Sequence, residues 1–342
     1  MESVPNYFYF DSNVCLWKEE KGAEDIIIDT INLSKTQKIS LSCDQSTYDK
    51  ITLNKVQFKG NFNKYYQFHT SHLSLLKSHL QKCVRREEGS LAFKTAISMI
   101  LIEEDKKIVQ TGLFELLRRI TIIIIEDAVL NINYGTLVWF LCLISNGIYL
   151  NRFCILKILS IVREVVFSKW RDKSYKYIHL NKNDKFSEIK IEKKYLNLIF
   201  SLYMRNGFRG MHGDYLMNLK AIKLWSQRFG ENSNLCHHLC VKEEETDELT
   251  ESDSTPLNPK EIILPAFDQH CSNIAMELSK IIGLPVRKIE SLIWIYSSSL
   301  NLRLDVIPKN NKKVIIPDAN WEIIKNLFLV EAQNKKMQIF NI

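Results

Sequence analysis

The chain has 342 residues, 46% of them hydrophobic and 25% charged. That composition supports a sizeable buried core and excludes an intrinsically disordered or collagen-like chain. Lys and Arg number 46 against 39 Asp and Glu, and the stretch 243–253 (EEETDELTESD) takes seven of those acids and no base. The remainder is therefore strongly basic. A basic body beside an acidic segment points to a polyanionic partner, most often nucleic acid.

Short β-branched or aromatic runs open the chain at Tyr7–Phe10, Ile26–Ile31, Lys38–Ser42 and Ile51–Phe58. Such runs favour strands, and residues 1–65 are expected to form a small β-containing segment. From about His69 the period becomes helical. Leu73, Leu76, Leu80 and Val84 fall on one line, with Lys77, His79, Lys82 and Arg86 largely off it. Gly89-Ser90 and Gly112 are breaks, and Leu91, Ala92, Ala96, Met99 and Ile100 carry a helix between them. Leu113–Leu130 is apolar almost all round, as a helix central to a bundle is. Helices are then predicted at Thr136–Leu150, Phe153–Trp170, Tyr195–Arg205 and Leu216–Phe229, so that 66–240 forms a helical bundle. Leu137–Leu150 is shorter than the roughly 20 residues a membrane span requires, and reads as a core helix. No proline lies between Pro5 and Pro256, as uninterrupted helices demand. Residues 241–262 read as an acidic linker. Residues 263–342 read as a C-terminal helical unit with helices at Ile274–Ile282, Arg287–Leu300 and Trp321–Val330. The fold class is mainly α, a helical bundle with a small N-terminal β-containing segment and a short C-terminal helical unit.

Several of the eight cysteines, among them Cys83, Cys142 and Cys154, sit inside apolar helical patterns, where Cys acts as a small hydrophobe. Met1–Phe10 lacks a basic start followed by an apolar run. An intracellular protein with reduced thiols is expected, nuclear or cytoplasmic, a viral factory or virion included, and without a membrane partner.

Five constellations bear on chemistry. Phe167–His179 (FSKWRDKSYKYIH) mixes cations with flat rings, which can neutralise phosphates and stack on bases. Lys169, Trp170, Arg171, Lys173, Tyr175 and Lys176 are the leading nucleic-acid contacts, although a solvated helix end with inward aromatics gives the same pattern. Arg205–Asp214 (RNGFRGMHGD) has three glycines in seven residues, so Arg205, Arg209 and His212 form a second candidate anion site, with Asp214 as the N-cap of the following helix. A plain Gly-rich turn is the alternative. Cys236, His237, Cys240, His270 and Cys271 are weak candidate ligands for a structural zinc, and their spacing matches no established zinc signature. His212, Asp214, Asp268 and His270 would have to converge to make a metal-dependent nuclease. Finally, Trp294–Arg303 ends a helix with hydroxyls, an amide and a cation, suited either to phosphate or to a capped core helix.

The helix around residue 120 places Arg118, Arg119, Glu126 and Asp127 in apolar surroundings, where charges must be paired. Arg85 and Arg86 are the expected partners of the two acids, in an architectural network. Lys82 and Arg85 (a K-x-x-R stretch), Ala92 and Ala96, and the R-R and E-D pairs at 118–119 and 126–127 resemble the C-terminal helical collar of the MgsA/RarA-type replication-associated recombination ATPases. The likeness covers about residues 78–150. The chain also resembles uncharacterised proteins of large DNA viruses. No G-x-x-x-x-G-K-[S/T] phosphate loop occurs, so ATPase activity does not carry over. What the resemblance implies is a non-enzymatic, nucleic-acid-associated subunit of the DNA replication and repair type, with DNA preferred to RNA, acting in an oligomer or with other protein subunits. A pure assembly subunit and a metal-dependent nuclease are the rival readings.

Overall fold

A computed structural model describes residues 6–32, 37–52, 64–102, 110–180, 193–208, 210–230, 255–307 and 320–342. Strands β1 (Tyr7–Phe10), β2 (Cys15–Lys18), β3 (Ile26–Asn32) and β4 (Lys38–Cys43) form one sheet in the order β2-β1-β4-β3. β1 runs antiparallel to β2 and parallel to β4, and β3 runs antiparallel to β4. Alternation puts Phe8 and Phe10 on the same buried face, where Phe8 stacks on Trp17 with ring centroids 4.3 Å apart. β2 lies outside the runs whose composition favours strands. It forms because the Asp11 carboxylate accepts the Asn13 and Val14 N–H groups and turns the chain back onto β1. The expected strand at Ile51–Phe58 is corrected at its start, since Gln45–Thr52 is helix α1, and the remainder lies outside the described residues. Asp44 accepts the Thr47 N–H at 2.6 Å, an N-cap that outcompetes the β-branched pattern.

The bundle comprises α2 (Leu73–Arg85), α3 (Gly89–Ile100), α4 (Thr111–Asp127), α5 (Tyr134–Ser145), α6 (Arg152–Phe167), α7 (Lys193–Gly207) and α8 (His212–Gly230). α5 is the most deeply enclosed, with every residue from Tyr134 to Ile144 buried, whereas α4, expected to be apolar almost all round, leaves Glu115, Arg118 and Arg119 half-buried on one side. The sheet packs on α5 and α7. Trp139 donates its indole N–H to the Phe8 carbonyl at 2.9 Å, and the Trp17 backbone N–H meets Asn197 Oδ1 at 2.8 Å. Gly112 is required for the contact between α3 and α4, because a Cβ there would stand 1.8 Å from the Met99 carbonyl oxygen. Among the described residues no helix is long and apolar enough to cross a membrane.

Several expected boundaries move. α5 ends at Ser145 rather than Leu150, and the last helix runs from Trp321 to Phe340 rather than stopping at Val330. α6 stops at Phe167, and Trp170–Arg171 becomes a short strand, β5, parallel to β6 (Leu304–Asp305). α8 begins at His212, so Asp214 lies in its first turn and is not its N-cap. The expected linker 241–262 divides: 241–254 lies outside the described residues, whereas Leu257 and Ile262 are buried and the Leu257 N–H donates to Ser98 Oγ at 2.8 Å. Apolar side chains there find a site on α3, which an isolated spacer would lack. The C-terminal helices α9 (Cys271–Ile282), α10 (Val286–Ile293, continued by a π turn over Trp294–Ser298) and α11 (Trp321–Phe340) join the same hydrophobic core. Lys336 on α11 donates to the carbonyls of Lys260 and Ile262, fixing that helix to the body.

Candidate functional site

Where α2, α4 and the C-terminal segment meet, ionic groups lie in largely apolar surroundings. Arg85 donates from Nε to Asp127 Oδ1 and from Nη2 to Glu126 Oε1, both at 2.7 Å, and from Nη1 to the Ser298 carbonyl. Gln81 Nε2 reaches both acids at 2.8 Å, and Asn301 Nδ2 adds a bond to Asp127 at 3.0 Å. Arg86, the other expected partner, turns to the Ser297 carbonyl instead. Burial, and then the adjacent Asp127 charge, raise the Glu126 carboxyl above the usual range, with Arg85 opposing them. Tyr175 lies beside the same pair and is itself buried.

Sequence reasoning left open the role of Arg303, which is a helix-end clamp. The buried guanidinium donates to the Val84 carbonyl of α2 at 2.7 Å, to the Asp127 carbonyl of α4 at 3.4 Å, and to Val165 and Val166 of α6 at 2.9 and 3.0 Å. These are carbonyls at helix C-termini, where intrahelical donors run out and a cation meets the negative end of the dipole. Burial lowers its pKa to about 10, against the pull of Asp127. Among the two readings of Trp294–Arg303, the capping one describes this residue.

Beside this network lies an open cleft of about 780 Å³. One wall is the polar stripe of α2: Ser74, Lys77, Ser78, Gln81 and Lys82 recur at three- and four-residue spacing. Facing it on α4 are Glu115, Arg118, Arg119 and Ile122, at the same spacing. Arg205, Gly210, Met211, Asp214, Asp268 and Ser298 complete the lining. Lys77 and Arg118 share Glu115, at 2.7 and 2.8 Å. Burial alone would raise that carboxyl, but the two cations hold it below the usual range. Lys82 bonds Asp268 at 2.7 Å, and Ser78 and Ser298 also bond that carboxylate. Arg119 donates to a neutral acceptor, Gln81 Oε1, at 3.3 Å. Arg205 is buried, with Nε on Thr121 Oγ1 at 2.7 Å and Nη2 on the Arg118 carbonyl at 2.9 Å.

The basic-aromatic stretch divides into held and outward residues. Arg171 and Lys173 both bind Asp305, at 2.7 and 2.6 Å, and Asp172 is paired with Arg228. Tyr175 is buried. Lys169, Trp170, Lys176 and Tyr177 are exposed, Trp170 by 49% and Tyr177 by 53%. Of the Gly-rich turn, Arg205 reaches the cleft, His212 is exposed and does not line it, and Arg209 lies outside the described residues. The two glycine-flanked arginines and the histidine are thus not shown converging.

Of the metal candidates, Cys236, His237 and Cys240 lie outside the described residues, as does the side chain of His270; Cys271 is half-buried. Asp214 and Asp268 line the same cleft without His212. Among the described residues no group of three or more His, Cys, Asp or Glu is placed to hold a metal ion. Cys83 lies 3.5 Å from His79 Nε2, yet burial pushes the thiol up and the imidazole down to about 3, the reverse of an activated nucleophile pair. No family model, curated protein or solved structure matches this chain.

Proposed function

We propose that this chain is a non-enzymatic, nucleic-acid-associated subunit of a larger complex, of the DNA replication or repair type, touching the strand through Lys169, Trp170, Lys176 and Tyr177. The observation that carries this reading is the division within 167–179. Asp305 and Arg228 consume the charges of Arg171, Lys173 and Asp172, and so anchor the stretch. Two cations and two ring systems are left turned outward on that support. Lysines neutralise phosphates while exposed rings stack on bases, and a pre-ordered support lowers the entropic cost of doing both. The candidate set narrows accordingly, with Arg171, Lys173 and Tyr175 becoming supports.

Membership of a complex is supported by apolar side chains exposed on the C-terminal helices, among them Ile281, Trp294, Ile323 and Val330. The test is titration of fluorescent single- and double-stranded DNA and RNA across a salt series. The double variant K169E/K176E is expected to weaken binding and to flatten the salt dependence by about two counterions. W170A is expected to lose about 1–3 kcal/mol on single strands. Affinity and salt slope unchanged in both variants would refute the reading.

A further inference from the structure

The cleft between α2 and α4 carries more positive charge than its own carboxylates balance. Its lining holds Lys77, Lys82, Arg118, Arg119 and Arg205 against Glu115, Asp214 and Asp268, an excess of two positive charges. The neighbouring network does not absorb that excess, because Arg85 and Arg303 there already match Glu126 and Asp127. Two details show where an added anion would be held. Arg119 is bonded to an amide oxygen, a weaker acceptor than a carboxylate or phosphate. The Arg118 Nε has no hydrogen-bond partner among the described residues, and the side chain is 30% exposed on the cleft, so the guanidinium can turn that donor toward an incoming acceptor. The walls are rigid helices pinned by the Lys77–Glu115–Arg118 and Lys82–Asp268 pairs, so the cations are preorganised. Ile122 and Met211 add apolar surface to the same lining, and the volume falls within the about 300–1,000 Å³ of small-ligand sites.

We propose that this cleft binds an organic phosphate monoester, with Arg118, Arg119 and Lys77 holding the phosphate and Ile122 and Met211 beside the organic part. A phosphate monoester brings a charge of about −2 at neutral pH and three acceptor oxygens, matching both the excess charge and the guanidinium forks. The monoester can be a free nucleotide or the phosphorylated end of a strand. The site shares no lining residue with the contacts proposed at Lys169, Trp170, Lys176 and Tyr177, and its evidence does not depend on theirs.

Titration calorimetry on the full chain with adenosine monophosphate, adenosine and succinate reads the site directly. Saturable binding of the monophosphate, with adenosine at least about ten-fold weaker, is expected, and R119Q is expected to weaken it by about ten-fold or more. K280Q, on the exposed face of α9, serves as the control. Circular dichroism and the melting temperature of R119Q distinguish a lost contact from a lost fold. Short strands ending in a 5′-phosphate or a 5′-hydroxyl separate the two sources: preference for the phosphorylated end assigns the strand, and equal affinity beside monophosphate binding assigns the free nucleotide. No monophosphate binding together with equal affinity for both strand ends overturns the proposal, as does succinate binding as tightly as the monophosphate. Strand binding lost in K169E/K176E but indifferent to the end would leave the nucleic-acid reading standing while this one falls. Monophosphate binding without any strand retention would do the reverse.

Discussion

Replacing Arg85 by Met tests whether the α2–α4 network is structural. The substitution keeps volume and apolar contact but removes the bonds to Asp127, Glu126 and the Ser298 carbonyl. Breaking a buried pair by deleting one partner typically costs about 3–5 kcal/mol, since the surviving charge is stranded. Here the lower figure applies. The Asp127 side chain is only 4% exposed but keeps Gln81 and Asn301, while Glu126 is 28% exposed and regains water. A loss of about 3 kcal/mol is therefore expected, measured as the shift in urea midpoint followed by fluorescence of the six tryptophans. The pH dependence carries its own sign. Glu126 already sits above the usual carboxylate range through burial and Asp127, so its charge opposes folding above that raised value, and the penalty is relieved as it takes up a proton. Without Arg85 the carboxyl rises further, so the cost of R85M shrinks as pH falls from neutral toward the ordinary Glu value of about 4.3. A loss below about 1 kcal/mol at neutral pH, or one that grows on acidification, would refute this reasoning.

Arg303→Lys keeps the charge but cannot fork to three helix ends, so a loss of about 2–4 kcal/mol is expected, with faster hydrogen exchange at the ends of α2 and α6. Gly112→Ala drives a Cβ against the Met99 carbonyl; a loss of about 1–3 kcal/mol should appear as a lower melting temperature, and an unchanged one would contradict the close approach of α3 and α4. Phe328→Ala empties a fully buried site on α11 and should cost about 3–5 kcal/mol within one cooperative transition. A separate early transition for 263–342 would show instead that the C-terminal unit unfolds alone.

Much of the fold is legible residue by residue because secondary structure follows local periodicity. Leu73, Leu76, Leu80 and Val84 announce α2, and the apolar run through Ile120–Ile125 announces α4. Boundaries moved where a side chain near an element's end decided, as Asp44 did for α1. The cleft was half-visible. The stripe on α2 can be read in part, since Lys77 and Lys82 fall off its apolar line, but α4 reads as apolar almost all round, and nothing in either helix states that their polar positions face each other across open space.

What the linear order determined by itself is the list of needs: which faces must be buried, and that charges inside an apolar helix must find partners. Tertiary structure decided which candidates become those partners. Asp305 captures Arg171 and Lys173 from 134 and 132 positions away, Arg85 takes Glu126 and Asp127 while its neighbour Arg86 turns elsewhere, and Arg303 gathers three helix ends. The reason is physical. Helical and strand periods arise from bonds between near neighbours, whereas an ion pair depends on distance through space, which chain topology sets and sequence separation does not.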